Sequence, residues 1–203
     1  MSRPRDGLVD DAVHLATLSL LAEVGYDGVT MAEVARRAST VPPTVYRRHR
    51  NVRDLVLATL RRELATLPDH ETPDPGALRA DLLAFVADVA SAMTPDRVAI
   101  VAGLLLPLRR DPELAAALRT ELEFLGGTRG QLIIDRAVDR GELHLDPDSA
   151  DLRIVAMVVP AMIFHRLTLM NLPIDDDFTA DLVDTVLLPA LHQAEAACAV
   201  RRP

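Results

Sequence analysis

Lysine is missing from all 203 residues, so the 22 permanently charged cations are all arginine. A GC-rich coding composition accounts for such a bias, yet its chemical consequence holds whatever the origin. Each guanidinium is planar and presents its donors as a fork suited to phosphate and guanine. Cysteine is nearly missing too. The one thiol, Cys198, excludes an intrachain disulfide and points to a reducing cytoplasm. The opening Met-Ser-Arg-Pro-Arg-Asp-Gly holds no apolar run of signal-peptide type. A membrane span needs about 20 apolar residues. The longest run here, Ile154 to Phe164, has eleven positions including Pro160, which suits a buried helix, so no membrane partner is expected. Strand alternation, internal repeats and low-complexity tracts are absent. His14, His70, His144 and His192 lie scattered without metal-ligand spacing, and no nucleophile stands near a base in sequence. Neither a metal, a cofactor nor an enzyme is expected.

About half the residues are apolar (49%) and 26% are charged, which describes a globular chain with a sizeable core. The net charge of −8 argues against binding a polyanion over the whole surface. Its distribution is more informative. The first 62 residues carry ten Arg against seven acids, and the rest carry twelve Arg against 23 acids. A basic head on an acidic body implies that only the head meets a polyanion.

The apolar spacing is helical throughout. Val9, Val13, Ala16, Leu20 and Val24 form one stripe, closed by Gly25. Thr30-Met-Ala-Glu33 reads as a capping box that opens a second helix. Pro42 and Pro43 open a short third one, and Asn51 caps a fourth that is expected to reach about Leu67. Three prolines between Pro68 and Pro75 place a domain boundary there. Residues 1–67 form one domain and 76–203 the other. In the second, helices are expected over Ala77–Met93, from Asp96 to about Leu106, from Pro112 to about Arg140 (bent near Gly126, Gly127 and Gly130), from Pro147 to Leu172, and from Asp177 or Thr179 to about Val200.

Short helices split by tight turns within residues 30–60 make a helix-turn-helix pattern. The second helix of such a pair enters the DNA major groove, so it must be short and polar on one face. Thr44-Val45-Tyr46-Arg47-Arg48-His49-Arg50 fits: Val45 anchors it, while Thr44, Tyr46, Arg47 and Arg48 are expected to point outward.

Three stretches at fixed spacing resemble the DNA-binding signature of the TetR family: Gly25-Tyr-Asp-Gly-Val-Thr30, Met31-Ala-Glu-Val-Ala-Arg-Arg-Ala38, and Thr44-Val-Tyr46 with Leu55. Asp111-Pro-Glu-Leu114 and Arg140-Gly-Glu-Leu143 are similar to stretches in the bodies of that family. The resemblance implies an all-α fold of about nine helices, with a three-helix helix-turn-helix head on a larger C-terminal bundle. It implies that Thr44 and Tyr46 touch base edges and phosphates, that Thr30 meets the DNA backbone, and that Arg47 and Arg48 set operator choice. Guanine is the favoured partner of such an Arg. Where the family often has Gly, this chain has Ser39; where it has a capping Ser, Val41; where it has a phosphate-binding Lys, Val52. Arg50 or Arg53 can replace that last contact, and Thr40 the cap.

Other residues keep two readings. Tyr46 is a DNA contact or a packing aromatic, and Tyr26 and His49 read as packing residues. Arg36 and Arg37 form a solvated face or a phosphate contact. His165 and Arg166 form a polar rim or a handle in a ligand pocket, for which Phe85, Phe124, Met157 and Phe164 are the other candidates. The implied partners are double-stranded operator DNA, a second copy of the chain held through the last two helices, and a small apolar effector. The rival to a repressor is a helical adaptor that binds only proteins, which would leave the basic head unexplained.

Overall fold

The computed structural model describes residues 4–65, 74–145 and 150–201; of these, the side chains of 4–6, 64–65, 121–129, 150–156 and 197–201 fall outside the description. Ten α-helices and no strand occur among the described residues. They are α1 (Pro4–Val24), α2 (Met31–Arg37), α3 (Pro42–Tyr46), α4 (Val52–Ala65), α5 (Leu78–Ala92), α6 (Pro95–Arg110), α7 (Pro112–Asp139), α8 (Ala150–Thr168), α9 (Asp176–Leu182) and α10 (Leu188–Arg201). A π-helical turn, Val183–Leu187, joins α9 to α10 without a break. Pro189 gives the reason: it lacks an N–H and its ring crowds the carbonyl four residues earlier, and a wider turn relieves both.

The chain forms two compact units, Met1–Leu67 with Thr94–Glu121 and Pro68–Met93 with Leu122–Pro203. In the first, Val13, Ala16, Leu20 and Leu21 of α1 are buried with Val34 and Ala35 of α2, Val45 of α3, Leu55 and Val56 of α4, and Ile100 and Leu104 of α6. The expected stripe on α1 runs out at its end: Val24 is exposed and Leu21 is buried instead. A 21-residue helix drifts off any single stripe, and here Val24 lies where a side chain at position 28 would stand, which is why Gly28 is needed. Gly25, at φ 68°, ends the helix. A Cβ on Gly103 would stand 3.2 Å from the Gly25 Cα, so a glycine lets α6 cross α1 closely.

Several boundaries differ from the sequence expectation. Helix α6 is capped by Thr94, whose hydroxyl accepts from the Arg97 N–H at 3.4 Å, and not by Asp96; it then runs through Pro107 to Arg110. Pro107 is buried in the packing, which outweighs its local preference. Helix α8 stops at Thr168, and Asn171 follows at φ 51°. The next helix is capped by Asp175, which accepts from Phe178 at 2.8 Å. Asp111 caps α7 as expected, accepting from Glu113 and Leu114 at 3.1 and 3.0 Å.

The second unit buries Leu82, Phe85 and Val86 of α5, Ile133, Ile134 and Ala137 of α7, Val159 and Ile163 of α8, and Leu182, Leu187 and Leu191 of the last helical stretch. Arg140 gathers Asp81, Glu142 and Asp74 at 2.5, 2.5 and 3.0 Å. Glu142 also accepts from the Leu78 N–H at 2.7 Å, which fixes the start of α5. No single helix among the described residues is long and apolar enough to cross a membrane.

Candidate nucleic-acid interface

Helix α2 begins where Thr30 accepts from the Glu33 N–H at 3.2 Å, the first half of the expected capping box. The Glu33 carboxylate is taken up by Arg36 (2.5 and 2.8 Å) and Arg37 (3.1 Å). Arg37 also grips Glu23 of α1 with two bonds of 2.7 Å. These arginines hold Glu33 and Glu23 well below the ordinary 4.5, at about 2. Arg37 therefore ties α2 to α1, while Arg36 pairs within α2 itself.

The turn after α2 is a Schellman motif. The Thr40 N–H donates to Ala35 (2.9 Å), the Ser39 N–H to Arg36 (3.3 Å), and Ser39 sits at φ 52°. The left-handed residue that the family fills with Gly is thus present, with a side chain on it. Val41 provides no side-chain cap for α3, and Thr40 does not substitute. Little is lost by this. Pro42 and Pro43 carry no N–H, and the third, Thr44, donates to the Val41 carbonyl at 2.9 Å. Two prolines remove the donors that a cap would satisfy.

Helix α3 is one turn long and rests on Val45, which is fully buried. That anchor turns Tyr46 to solvent, 56% exposed, with Arg47 exposed beside it and Thr44 half-buried. Thr30 and Arg50 are exposed as well. Arg48 departs from its expected outward course. Its side chain is only 17% exposed, its Nε is ion-paired with Asp10 of α1, and its Nη1 donates to the Thr44 carbonyl at 3.2 Å. Arg53 is also occupied, by Asp111 at 2.7 Å and by Glu113. Asn51 caps α4 by accepting from Asp54 at 2.9 Å, and Asp54 in turn accepts from the Arg50 N–H at 3.0 Å. His49 is half-buried, and burial lowers its imidazole pKa. Tyr26 packs against the core of this unit, where burial raises its hydroxyl pKa. Sequence reading missed Asp10, Glu23, Asp111 and Glu113 as partners of these arginines. Opposite charge alone does not reveal which acid meets which base, because the pairs join residues up to 60 positions apart.

The pocket candidates do not share one environment. Phe85 belongs to the core of the second unit, Phe164 is half-buried, and His165 is exposed. Met157 is 70% exposed. Phe124 lies among side chains outside the described residues. Arg166 closes the turn after α8, bonded to the Pro173 carbonyl at 2.7 Å and to Asp175 at 3.0 Å, with Phe178 beneath it.

A short helix set on its partner by one buried valine, with an aromatic and an arginine facing out, defines a helix-turn-helix DNA-binding protein. The comparisons place it more closely. The family model of bacterial regulatory proteins, tetR family, matches residues 15–59, and that of the tetracyclin repressor-like C-terminal domain matches 72–186. The DNA-binding transcriptional repressor TetR of Mycobacteroides abscessus is 36% identical over 180 residues, 87% of this chain and 90% of that one. The regulator AqdR of Rhodococcus erythropolis is 29% identical, covering 85% of this chain and 80% of its own. Among solved structures, Salmonella enterica GusR superposes with a TM-score of 0.73 at 17% identity, covering 95% and 98% of the two chains. FadR of Bacillus subtilis, solved with stearoyl-CoA, gives 0.68 at 16%, covering 89% and 97%. The chain belongs to the TetR family of DNA-binding transcriptional regulators. It is a regulator and not an enzyme.

Proposed function

We propose that the protein is a cytoplasmic, homodimeric repressor that leaves its operator when a small apolar effector binds. The observation that carries the DNA-facing part of this reading is the exposure of Tyr46 and Arg47 on a helix pinned by Val45. Thr30, Thr44, Tyr46, Arg47 and Arg50 form the DNA contact surface, and Arg53 reaches DNA only by leaving Asp111. Residues 1–67 bind DNA, and 76–203 bind the effector and the second copy; residues 94–121 pack in the first unit yet lie within the second stretch in sequence.

Pairing through the last two helices is supported by their uncovered apolar surface. Met157, Pro160, Ala161 and Met162 of α8 are exposed, and so are Val186 and Pro189 further on. Contiguous exposed apolar surface marks an interaction site. In a dimer the two α3 helices must lie about 34–36 Å apart to enter successive major grooves. The effector relieves repression only by binding a differently spaced state more tightly. The repressor role is supported by the M. abscessus relative, itself a DNA-binding transcriptional repressor.

The test is titration of the purified protein onto DNA from its own upstream region, across a range of salt. Specific binding that falls steeply with salt is expected. Tyr46→Ala and Arg47→Glu should each weaken it by about ten- to a hundredfold with unchanged helicity. Met157→Glu should shift the protein from dimer to monomer in sedimentation. Binding that survives both α3 variants would refute the contact surface, and a monomeric wild type would refute the pairing.

A further inference from the structure

We infer that Asp10 and Arg48 form a strut that sets the angle of the recognition helix, so that Arg48 serves DNA binding without touching DNA. The inference rests on α3 being the recognition helix. Helix α3 has few constraints of its own. It spans five residues, has no side-chain cap, and offers the core one buried side chain, Val45. One anchor leaves a short helix free to roll about that point. Arg48 supplies the second point. Its guanidinium reaches back to the Thr44 carbonyl at the end of the helix and forward to Asp10 on α1. Both bonds carry charge, and such bonds are stronger than neutral ones. A cation at the carbonyl end of a helix is also favoured by the helix dipole.

The neighbouring arginines sharpen the contrast. Arg47 is exposed and Arg48 is turned inward, although both directly follow Tyr46. An Arg48 that read bases would first have to leave Asp10 and expose the Thr44 carbonyl. Thr44 and Tyr46 sit on the turn that the strut holds, so a small roll of α3 displaces both from the groove. Asp10 is itself about half exposed, which lets it be altered without opening the core.

The experiment compares Asp10→Asn, Arg48→Gln, the double variant and the charge exchange Asp10→Arg with Arg48→Asp. Each is titrated onto upstream DNA and onto a scrambled duplex of equal length, over a range of salt, with circular dichroism melts in parallel. Tyr46→Ala is the control for α3 itself. Each single variant should weaken specific binding about tenfold, the order of one charge-assisted hydrogen bond. The double variant should lose no more than either single one. Binding to the scrambled duplex and the salt slope should stay as in the wild type, and the charge exchange should recover most of the loss. If Arg48→Gln instead lowers the salt slope by about 0.9, one phosphate contact, while Asp10→Asn leaves or raises affinity, Arg48 is a DNA contact and the strut is refuted. Singles within twofold of the wild type refute it as well. If Tyr46→Ala binds normally, α3 is not the recognition helix, and the inference falls with that reading.

Discussion

The same helix ending appears in both compact units with different residues at its critical position. Helix α2 closes on Ser39 at φ 52°, and helix α7 closes on Gly141 at φ 74°. At α7 the Glu142 N–H donates to Ala137 at 2.8 Å and the Gly141 N–H to Val138 at 2.9 Å, matching the bonds of Thr40 and Ser39. A left-handed backbone costs a residue with a Cβ roughly 1–2 kcal/mol. The first unit tolerates that strain at the turn leading to α3, whereas the matching turn after α7 avoids it with glycine, although Asn171 carries it elsewhere in the second unit. The comparison teaches that a turn geometry can be held from outside. Around Ser39 the holding is done by the Glu33, Arg37 and Glu23 network and by Val34, Ala35 and Val45 in the core.

In the first unit Arg36, Arg37, Arg48, Arg53 and Arg62 are all paired with carboxylates, so these five guanidiniums are engaged within the fold. Exposed apolar side chains occur in both units, Leu8, Leu15 and Leu106 in the first and Met157, Leu169 and Met170 in the second.

The strongest way to break the comparison is through the cores. Leu55 of the first unit and Leu191 of the second are both fully buried. Leu55→Ala and Leu191→Ala should each cost about 2–5 kcal/mol. Calorimetry should show each lowering the transition of its own unit; equal effects on one shared transition would mean that the two units unfold as one. Acid offers a milder probe. Glu23 and Glu33, bonded to Arg37 and Arg36, titrate at about 2 when folded, against an ordinary 4.5. Depressed carboxylates stabilise the fold above the ordinary value, and that contribution fades as pH falls towards about 2. Glu23→Gln should therefore lower the melting temperature slightly at pH 7 and leave it unchanged near pH 2; a constant difference across the range would sink this account. The smallest effect is at the two turns. Ser39→Gly should raise stability by about 1 kcal/mol or less, since relief of strain is partly offset by glycine's entropy. Gly141→Ser should lower it by a similar amount. If Ser39→Gly also weakens operator binding, the strain is part of how α3 is set.

Much of the fold was legible in sequence because its signals are local. Gly25, Thr30, Asn51 and Asp111 mark helix ends through their own backbones and side chains, and the apolar spacing marks what lies between. The limits of α6 and α8 were misjudged because Pro107 obeys burial and not propensity, and because Asn171 adopts a conformation that spacing does not encode.

The sequence alone determined the class of the protein. An arginine-only basic head, a capping box, two prolines and Thr44-Val45-Tyr46 specify a helix-turn-helix through rules that act within a few residues. Only the tertiary structure decided which arginines are available to DNA. Arg47 and Arg48 are adjacent and identical in chemistry, yet one faces solvent and the other faces Asp10, 38 positions away. A side chain's freedom is set by whatever the fold brings beside it, and electrostatic partners are chosen by distance in space and not by distance along the chain.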